Sequence, residues 1–310
     1  MKIFFYVFIL LLNPLLASQV FHKHISILKE SPHPAVYRSI ISGFNKLGIT
    51  YNVNPSKSSE FGDIVICLDG ISSLKRAIKL KNKNRIKKLV VGPSMVGRAT
   101  EHNHILTNSA IDYYLTPSEW NMIGYVEDEP ALKRVIHIWP AGVDSEYWQP
   151  QNNLKNKSKV LIYWKTESQE FCDKVKNILL SYGWEPLIIK YGNYKQEHYK
   201  ELLSQVKFAV FISVTESQGL ALAECWAMNI PTLVWDCQKP LEYLGKTYHI
   251  VSSCPYLTEQ TGKRWKELKE LEELLKNIES YWHEFNPREW VLNNMTDEIS
   301  VNLLLKIINE

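Results

Sequence analysis

The sequence predicts an α/β protein made of two Rossmann-like domains that face a cleft. Short apolar runs alternate with amphipathic stretches about every dozen residues, as in a parallel sheet wrapped by helices. A polar segment near the middle of the chain interrupts this alternation, which then starts again. The 310 residues are enough for two ordinary hydrophobic cores.

The first half contains five apolar runs that we interpret as strands of a parallel sheet, whose strands are buried on both faces. After the first run, Val36, Ile40, Phe44 and Leu47 recur at helical spacing, and Gly48 ends the predicted helix. The strands are expected at 24–28, 63–68, 88–93, 112–118 and 134–140.

The domain boundary is predicted near residue 149. PAGVDSEYWQP has a proline at each end and is followed by the polar run QNNLKNKSK. We therefore assign 19–148 to an N-terminal Rossmann-like domain and 149–310 to a C-terminal Rossmann-like domain with closing C-terminal helices. In the second domain we expect strands at KVLIYW, PLIIK, FAVFIS and PTLVW, and an amphipathic helix from Trp265 to Trp282.

Residues 1–18 are predicted to be a secretory signal peptide or a short membrane anchor. An apolar run from Ile3 to Leu12 follows a single lysine, and Ala17-Ser18 supplies small residues for cleavage. The run is shorter than the roughly 20 apolar residues that cross a bilayer. This segment would place the protein in the secretory pathway or at a membrane, and a buried first strand is the alternative.

Composition and charge argue against several classes of partner. A net charge of +3 gives no basis for nucleic-acid binding. The five cysteines form no CxxC pair, so we interpret them as buried apolar residues. The sequence has no Asp-x-Asp triplet and no His/Cys cluster at ligand spacing, and we predict no metal site.

Basic residues and histidines of the first half allow further hypotheses. The segment from Lys75 to Lys88 has eight basic residues and no acid. A solvated helix face is the favoured interpretation, and contact with an anionic membrane surface is the alternative. His33 and His102 each follow a predicted strand, so they are candidates for a ligand contact at the cleft or a general base; a surface or packing role is the alternative.

The main functional signal is the segment TESQGLALAECWAMNIPTLVW, which begins after the FAVFIS strand. Gly219 is expected to begin a helix, and Asn229 suits its left-handed end. Helix N-termini at the carboxyl ends of parallel strands bind phosphates. Glu216 lies in the connection and Glu224 in the helix, and carboxylates accept hydrogen bonds from sugar and ribose hydroxyls. Simple coverage of a helix face is the alternative for Glu224.

This segment resembles the EX7E region of the group 1 (family four) retaining glycosyltransferases, which have the GT-B fold. A second segment, IWPAGVDSEYWQP, is similar to the interdomain motif of that family. The resemblance is strong over about residues 136–236. The EX7E spacing is met by Glu216, Gly219, Leu220, Glu224, Ala227 and Pro231.

The resemblance implies transfer of a sugar from a UDP- or GDP-linked nucleotide sugar, with retention of configuration. It makes 19–148 the acceptor-side domain, with His33 and His102 as candidates for acceptor contact, and 149–310 the nucleotide-sugar-binding domain. The acceptor would be a glycan, lipid or protein, and the donor is a substrate, so no cofactor is expected. The implied catalytic residues are Glu216, beside the donor sugar, and Lys165, against the leaving diphosphate. The implied donor-binding residues are Gly219, Leu220, Glu224, Ser217 and Gly142, with Glu224 on the ribose hydroxyls.

Two alternatives remain open from the sequence. A secreted two-domain sugar- or solute-binding protein would also combine a leader with two α/β domains, but it has no need of two glutamates beside a phosphate-facing helix. A catalytically inactive relative would keep the donor site. The prolines of ESPHPAVYRS, where the family has a glycine-rich loop, bear on that second alternative.

Overall fold

The computed structural model describes residues 24–30, 34–93, 95–151 and 158–310. Its two larger sheets are entirely parallel, and buried apolar clusters cover both faces of each sheet. This arrangement confirms the predicted fold class of two Rossmann-like domains. The proposed leader, residues 1–18, and His33 lie outside the described residues.

The first sheet has six strands in the order β2-β1-β3-β4-β5-β6. The five strands predicted in this half are all present, and the sequence missed only the three-residue, half-exposed β2. The elements are β1 (Ile25–Leu28), α1 (Pro34–Lys46), β2 (Tyr51–Val53), β3 (Ile64–Cys67), α2 (Ile71–Asn82), β4 (Lys88–Val91), α3 (Glu101–His104), β5 (Tyr113–Thr116), α4 (Glu119–Asp128) and β6 (Ile136–Ile138).

The second sheet has five strands in the order β13-β10-β9-β7-β8, and a separate antiparallel hairpin pairs β11 with β12. The four strands predicted here are confirmed. The elements are β7 (Lys159–Trp164), α5 (Gln169–Ser181), β8 (Glu185–Lys190), α6 (Gln196–Gln205), β9 (Phe208–Ile212), α7 (Leu220–Ala227), β10 (Thr232–Trp235), β11 (Leu241–Tyr243), β12 (Lys246–Tyr248), β13 (Gly262–Trp265), α8 (Leu268–Lys276), α9 (Ile278–Tyr281) and α10 (Pro287–Asn294).

The region after Trp265 differs from the single helix that the sequence predicts. Trp265 ends strand β13, where it pairs with Trp235, and the helix begins only at Leu268. Asn277 then separates α8 from α9. Strand β13 was missed because its sequence, GKRW, has two adjacent charged residues at an edge of the sheet instead of an apolar run.

The last helix, α11 (Asp297–Asn309), packs on the first domain. Its Val301 and Leu304 join the apolar cluster that contains Ile40 and Phe44 of α1. The contact is close, because a Cβ on Gly43 would lie 2.4 Å from the Val301 side chain. The chain therefore crosses between the domains twice, after β6 and before α11.

Candidate active site

The connection between β9 and α7, residues 213–219, lies at the carboxyl edge of the second sheet and faces the first domain. Gly219 caps α7 with a φ of 82°, in the left-handed region that favours glycine. Asn229 ends the helix region with a φ of 61°, as the sequence predicts. Helix α7 is held firmly because Leu222 and Trp226 are buried. Its N-terminal amides are therefore fixed at the cleft.

Glu216 of this connection forms an ion pair with Lys165. The distance from Lys165 Nζ to a Glu216 carboxylate oxygen is 2.8 Å, and both side chains are largely shielded, with 21% and 15% exposure. Lys165 follows β7, and its ammonium group also lies 4.6 Å from the ring centre of Tyr191. The structure thus brings together the two residues that the resemblance placed in the catalytic site.

Both domains hold the 213–219 connection in place. The Trp120 indole donates to the backbone oxygen of Glu216 at 3.0 Å, and the Glu216 amide donates to the backbone oxygen of Ser252 at 2.9 Å. Gln218 Nε2 donates to the Ala141 carbonyl oxygen at 2.6 Å, and the Ala141 amide donates to Gln218 Oε1 at 2.9 Å. These contacts fix the position of Glu216 relative to the cleft.

A cavity of about 280 Å³, which we call the Glu224 cavity, lies between α1, α6 and α7. Gln196 Nε2 donates to Glu224 Oε1 at 3.0 Å, and Arg38 of α1 lines the same cavity from the first domain. Burial raises the pKa of Glu224 to about 7, against the opposing effects of Gln196 and Arg38. Leu220 and Gly142, both implied as donor contacts, also line this cavity.

Gly142 allows the interdomain segment to approach α11. A Cβ at this position would lie 2.5 Å from the Thr296 carbonyl oxygen and from the Asp297 Cα. The Gly142 amide donates to the Ser39 hydroxyl at 2.7 Å. Glycine is required here for packing, and this requirement is independent of any contact with a donor.

A second cavity of about 520 Å³, which we call the aromatic cavity, is lined by Thr215 and Ser217 of the connection. Its walls come from both domains and from the β11–β12 hairpin. Ser217, implied as a donor contact, lines this cavity and not the Glu224 cavity. The lining residues are Pro93, Val96, Gly97, Pro117, Trp120, Asn121, Tyr125, Thr215, Ser217, Leu241, Tyr243 and Tyr248.

The hairpin is fastened to the first domain by charged groups. Asp128, whose side chain is 3% exposed, lies 3.0 Å from both Arg98 and Lys246. Arg98 also donates to the backbone oxygen of Leu244 at 2.9 Å. These two cations hold the pKa of Asp128 below its usual range against the effect of burial. We call Arg98, Asp128 and Lys246 the hairpin ion cluster.

Other predicted residues lie elsewhere. His102 borders a separate open hollow beside Lys75 and Lys79, away from both cavities. Within the described part of the chain, no helix is long and apolar enough to cross a membrane. In the same residues, no group of three His, Cys, Asp or Glu side chains is placed to hold a metal ion.

The sequence missed several residues of the site. Arg38 and Gln196 line the Glu224 cavity, and Trp120 contacts the connection. Arg38 carried a signal that could have been used, because it lies in the first helix after the first strand, where open α/β sheets bind ligands. Gln196 and Trp120 had no comparable local pattern.

No protein-family model matches the chain, and no curated protein matches it. Solved structures, in contrast, share its fold. The Anabaena protein Alr3699/HepE, solved with UDP and glucose, matches with a TM-score of 0.60 and 10% identity over 93% of this chain and 100% of that chain. The lipopolysaccharide outer core galactosyltransferase WaaB matches with a TM-score of 0.60 and 13% identity over 92% and 99%.

A third solved structure has a different activity. The UDP-GlcNAc 2-epimerase from Methanocaldococcus jannaschii matches with a TM-score of 0.52 and 11% identity, over 92% of this chain and 99% of that chain. At such low identities the likeness concerns the fold, and function must be argued from the site. The chain has the GT-B fold, with two Rossmann-like domains facing each other across a cleft.

Proposed function

We propose that the chain is a glycosyltransferase that moves a sugar from a UDP- or GDP-linked donor to an acceptor with retention of configuration. The observation that carries this proposal is the arrangement at the start of α7. Glu216 and Glu224 flank the left-handed Gly219, and Lys165 is paired with the first glutamate. The fold shared with a protein solved with UDP and glucose, and with a galactosyltransferase, supports the same activity.

The Glu224 cavity would hold the nucleoside end of the donor. A carboxylate accepts hydrogen bonds from both hydroxyls of a ribose, and Gln196 orients the Glu224 carboxylate for this contact. The donor diphosphate would lie against the N-terminal amides of α7, near Gly219 and Leu220. Arg38, on the wall of the first domain, supplies a positive charge in place of the missing glycine-rich loop.

The sugar would then lie beside Glu216. During transfer, the bond between the anomeric carbon and the diphosphate oxygen breaks, the acceptor hydroxyl oxygen bonds to the same face of that carbon, and the leaving diphosphate takes up the hydroxyl proton. Negative charge accumulates on the diphosphate as it leaves. The Lys165 ammonium group would neutralise this charge, while the Glu216 carboxylate would stabilise the positive charge at the anomeric carbon. The ion pair between the two residues holds both side chains ready in the absence of donor.

The test is donor binding and turnover by the full chain. UDP, GDP and a panel of their sugars are titrated, and thermal stability and nucleotide release are measured for the parent, Glu216→Gln and Glu224→Gln. We expect one nucleotide to raise the Tm, Glu224→Gln to weaken that effect, and Glu216→Gln to bind donor without releasing nucleotide. NMR of the product bond should show the anomeric configuration of the donor.

The outcomes separate the alternatives. Free-sugar binding without any response to nucleotides would favour the sugar- or solute-binding protein. Nucleotide-sugar binding without turnover in the parent, with any acceptor offered, would favour the inactive relative. Conversion of the donor to an isomeric nucleotide sugar would indicate an epimerase instead of a transferase.

A further inference from the structure

The aromatic cavity has no assigned ligand, and its lining differs from that of a nucleotide site. We propose that it binds the acceptor, and that the acceptor end held there is an uncharged sugar. This inference rests on the proposed function, because it assigns the second substrate of the same reaction. It goes further by assigning a place in the structure and a chemical class to that substrate.

The aromatic cavity lies beside the loop that carries Glu216. Thr215 and Ser217, the neighbours of Glu216 in the connection, both line the aromatic cavity, and Trp120 from its opposite wall donates to the Glu216 backbone. A ligand in this cavity therefore lies next to the loop that would face the donor sugar. The Glu224 cavity is lined by Leu220 and Glu224, which follow this loop directly in α7, so the two substrates would approach each other along residues 215–224.

The aromatic lining indicates the shape of the ligand. Trp120 and Tyr125 come from α4, and Tyr243 and Tyr248 come from the β11–β12 hairpin. The C–H face of a pyranose ring is flat, apolar and slightly positive, and it packs against the negative face of an aromatic ring. Tyr243 remains 45% exposed on the hairpin, so a ligand can cover its ring without displacing a protein contact.

The polar groups of the lining suit hydroxyls and not charges. Asn121, Thr215 and Ser217 supply amide and hydroxyl groups that can both donate and accept. None of the described residues that line this cavity has a charged side chain. An acidic sugar would be desolvated there without an ion-pair partner, which is unfavourable. The lining therefore favours a neutral sugar over a uronic acid or a sugar phosphate.

The hairpin completes the cavity. It extends from the second domain across the cleft, where the hairpin ion cluster fastens it to α4. The hairpin packs tightly against the first domain at Gly97, where an added Cβ would lie 2.7 Å from the Tyr243 hydroxyl. The volume of about 520 Å³ is within the roughly 300–1,000 Å³ of small-molecule sites.

The experiment is a glycan-array measurement with the full chain. The array presents neutral oligosaccharides beside matched oligosaccharides that end in uronic acid, sialic acid or sugar phosphate. We expect binding to neutral ends, weakened about tenfold by Tyr243→Ala and largely kept by Tyr243→Phe, because stacking requires the ring and not the hydroxyl. Tyr182→Ala is the matched control, since Tyr182 is 39% exposed and does not line the cavity.

Nucleotide binding is measured in parallel to separate the two proposals. Tyr243→Ala should leave the Tm increase caused by UDP or GDP unchanged, which also shows that the variant is folded. Preference for acidic or lipid-linked ligands, binding insensitive to Tyr243→Ala, or no glycan binding by a protein that binds nucleotide would each overturn the acceptor assignment. If neither UDP nor GDP raises the Tm of the parent protein, that result would instead count against the proposed function.

Discussion

The two cavities are lined by neighbouring parts of the chain, Thr215 and Ser217 in one and Leu220 and Glu224 in the other, and their linings suit different chemistry. Arg38, Glu224 and Asp297 give the Glu224 cavity charged walls, whereas the described lining of the aromatic cavity is uncharged. A nucleotide donor has a diphosphate and a ribose, which require cations, amides and carboxylates. A neutral acceptor requires ring faces and hydroxyls. The lining of the Glu224 cavity thus suits a charged ligand, and the lining of the aromatic cavity suits a neutral one.

Charged groups near the aromatic cavity pair with each other instead of facing its ligand. Arg98, Asp128 and Lys246 form a compact cluster behind the lining, and Lys246 also contacts Glu127 at 3.2 Å. The cluster holds the hairpin in place, and the hairpin supplies Tyr243 and Tyr248 to the lining of the aromatic cavity. In the Glu224 cavity, charged groups would act on the ligand directly. Substitutions of charged residues should therefore have separable effects on the two sides.

The largest expected effect is on the donor side, at Lys165. Lys165→Ala should lower the rate of nucleotide release by about 10²–10³-fold, because an ammonium group no longer neutralises the leaving diphosphate. The measurement is release of UDP or GDP at saturating donor. Lys174→Ala is the control. Lys174 is 54% exposed on α5, and in the described part of the chain its one ion-pair partner is Glu170 of the same helix. A change of less than threefold for Lys165→Ala would remove this residue from the mechanism.

The contrast between the cavities also explains what the sequence predicted. The donor side depends on a local pattern, in which Glu216, Gly219 and Glu224 lie within nine residues of one strand–loop–helix unit. Spacing and backbone preference therefore placed these residues correctly relative to α7. Lys165 was identified only through the resemblance, and its contact with Glu216 joins residues 51 positions apart.

The aromatic side could not be predicted in the same way. Trp120 meets the Glu216 backbone across 96 positions, and Arg98 meets Leu244 across 146. The hairpin itself is formed by LEY and KTY, which are too short and too polar to be recognised as strands. Such contacts depend on how the two domains face each other, which no local pattern encodes.

The next expected effect is on the aromatic side, at Asp128. Asp128→Asn should lower the free energy of unfolding by about 2 kcal/mol, because two half-buried cations lose their shared carboxylate. Thermal or urea unfolding of the full chain measures the change. Asp63→Asn is the control: Asp63 is 37% exposed and pairs with the 72% exposed Lys87, so less than about 1 kcal/mol is expected.

The same variant sharpens the comparison between the cavities. Asp128→Asn should weaken binding of neutral glycans, because the hairpin that presents Tyr243 is less firmly attached. It should change nucleotide affinity by less than twofold, because Asp128 lies outside the Glu224 cavity. Equal weakening of both ligands would show that the two sides are not independent.

A smaller effect is expected from pH on the donor side. The ribose hydroxyls would donate to ionised Glu224, and burial raises the pKa of that residue to about 7 in the free protein. Its protonated form must lose a proton before binding, so affinity should rise with pH. For one group with this pKa, affinity for a UDP- or GDP-linked sugar, whose diphosphate has no terminal phosphate to titrate in this range, should increase about tenfold between pH 6 and pH 8.

Isothermal titration of the nucleotide sugar across this pH range tests the expectation. Glu224→Gln should bind more weakly at pH 8 and lose the increase of affinity with pH, because the amide does not titrate. Glycan binding to the aromatic cavity should be independent of pH in both proteins. An equally steep profile for nucleotide binding to Glu224→Gln would assign the titration to another group.

The smallest expected effect concerns the glycine that starts α7. Gly219→Ala should lower the free energy of unfolding by about 1 kcal/mol, because its φ of 82° is unfavourable for any residue with a Cβ. Gly183→Ala isolates the cost of the backbone angle, with a φ of 79° and open space around the added Cβ, whereas a Cβ on Gly219 would lie 3.0 Å from Leu222 Cδ1. Gly219→Ala should therefore lose at least as much stability as Gly183→Ala. Only Gly219→Ala should also weaken nucleotide binding, by about threefold, since it shifts the amides that face the diphosphate. Equal nucleotide affinity in the two variants would mean that the start of α7 serves packing and not the donor.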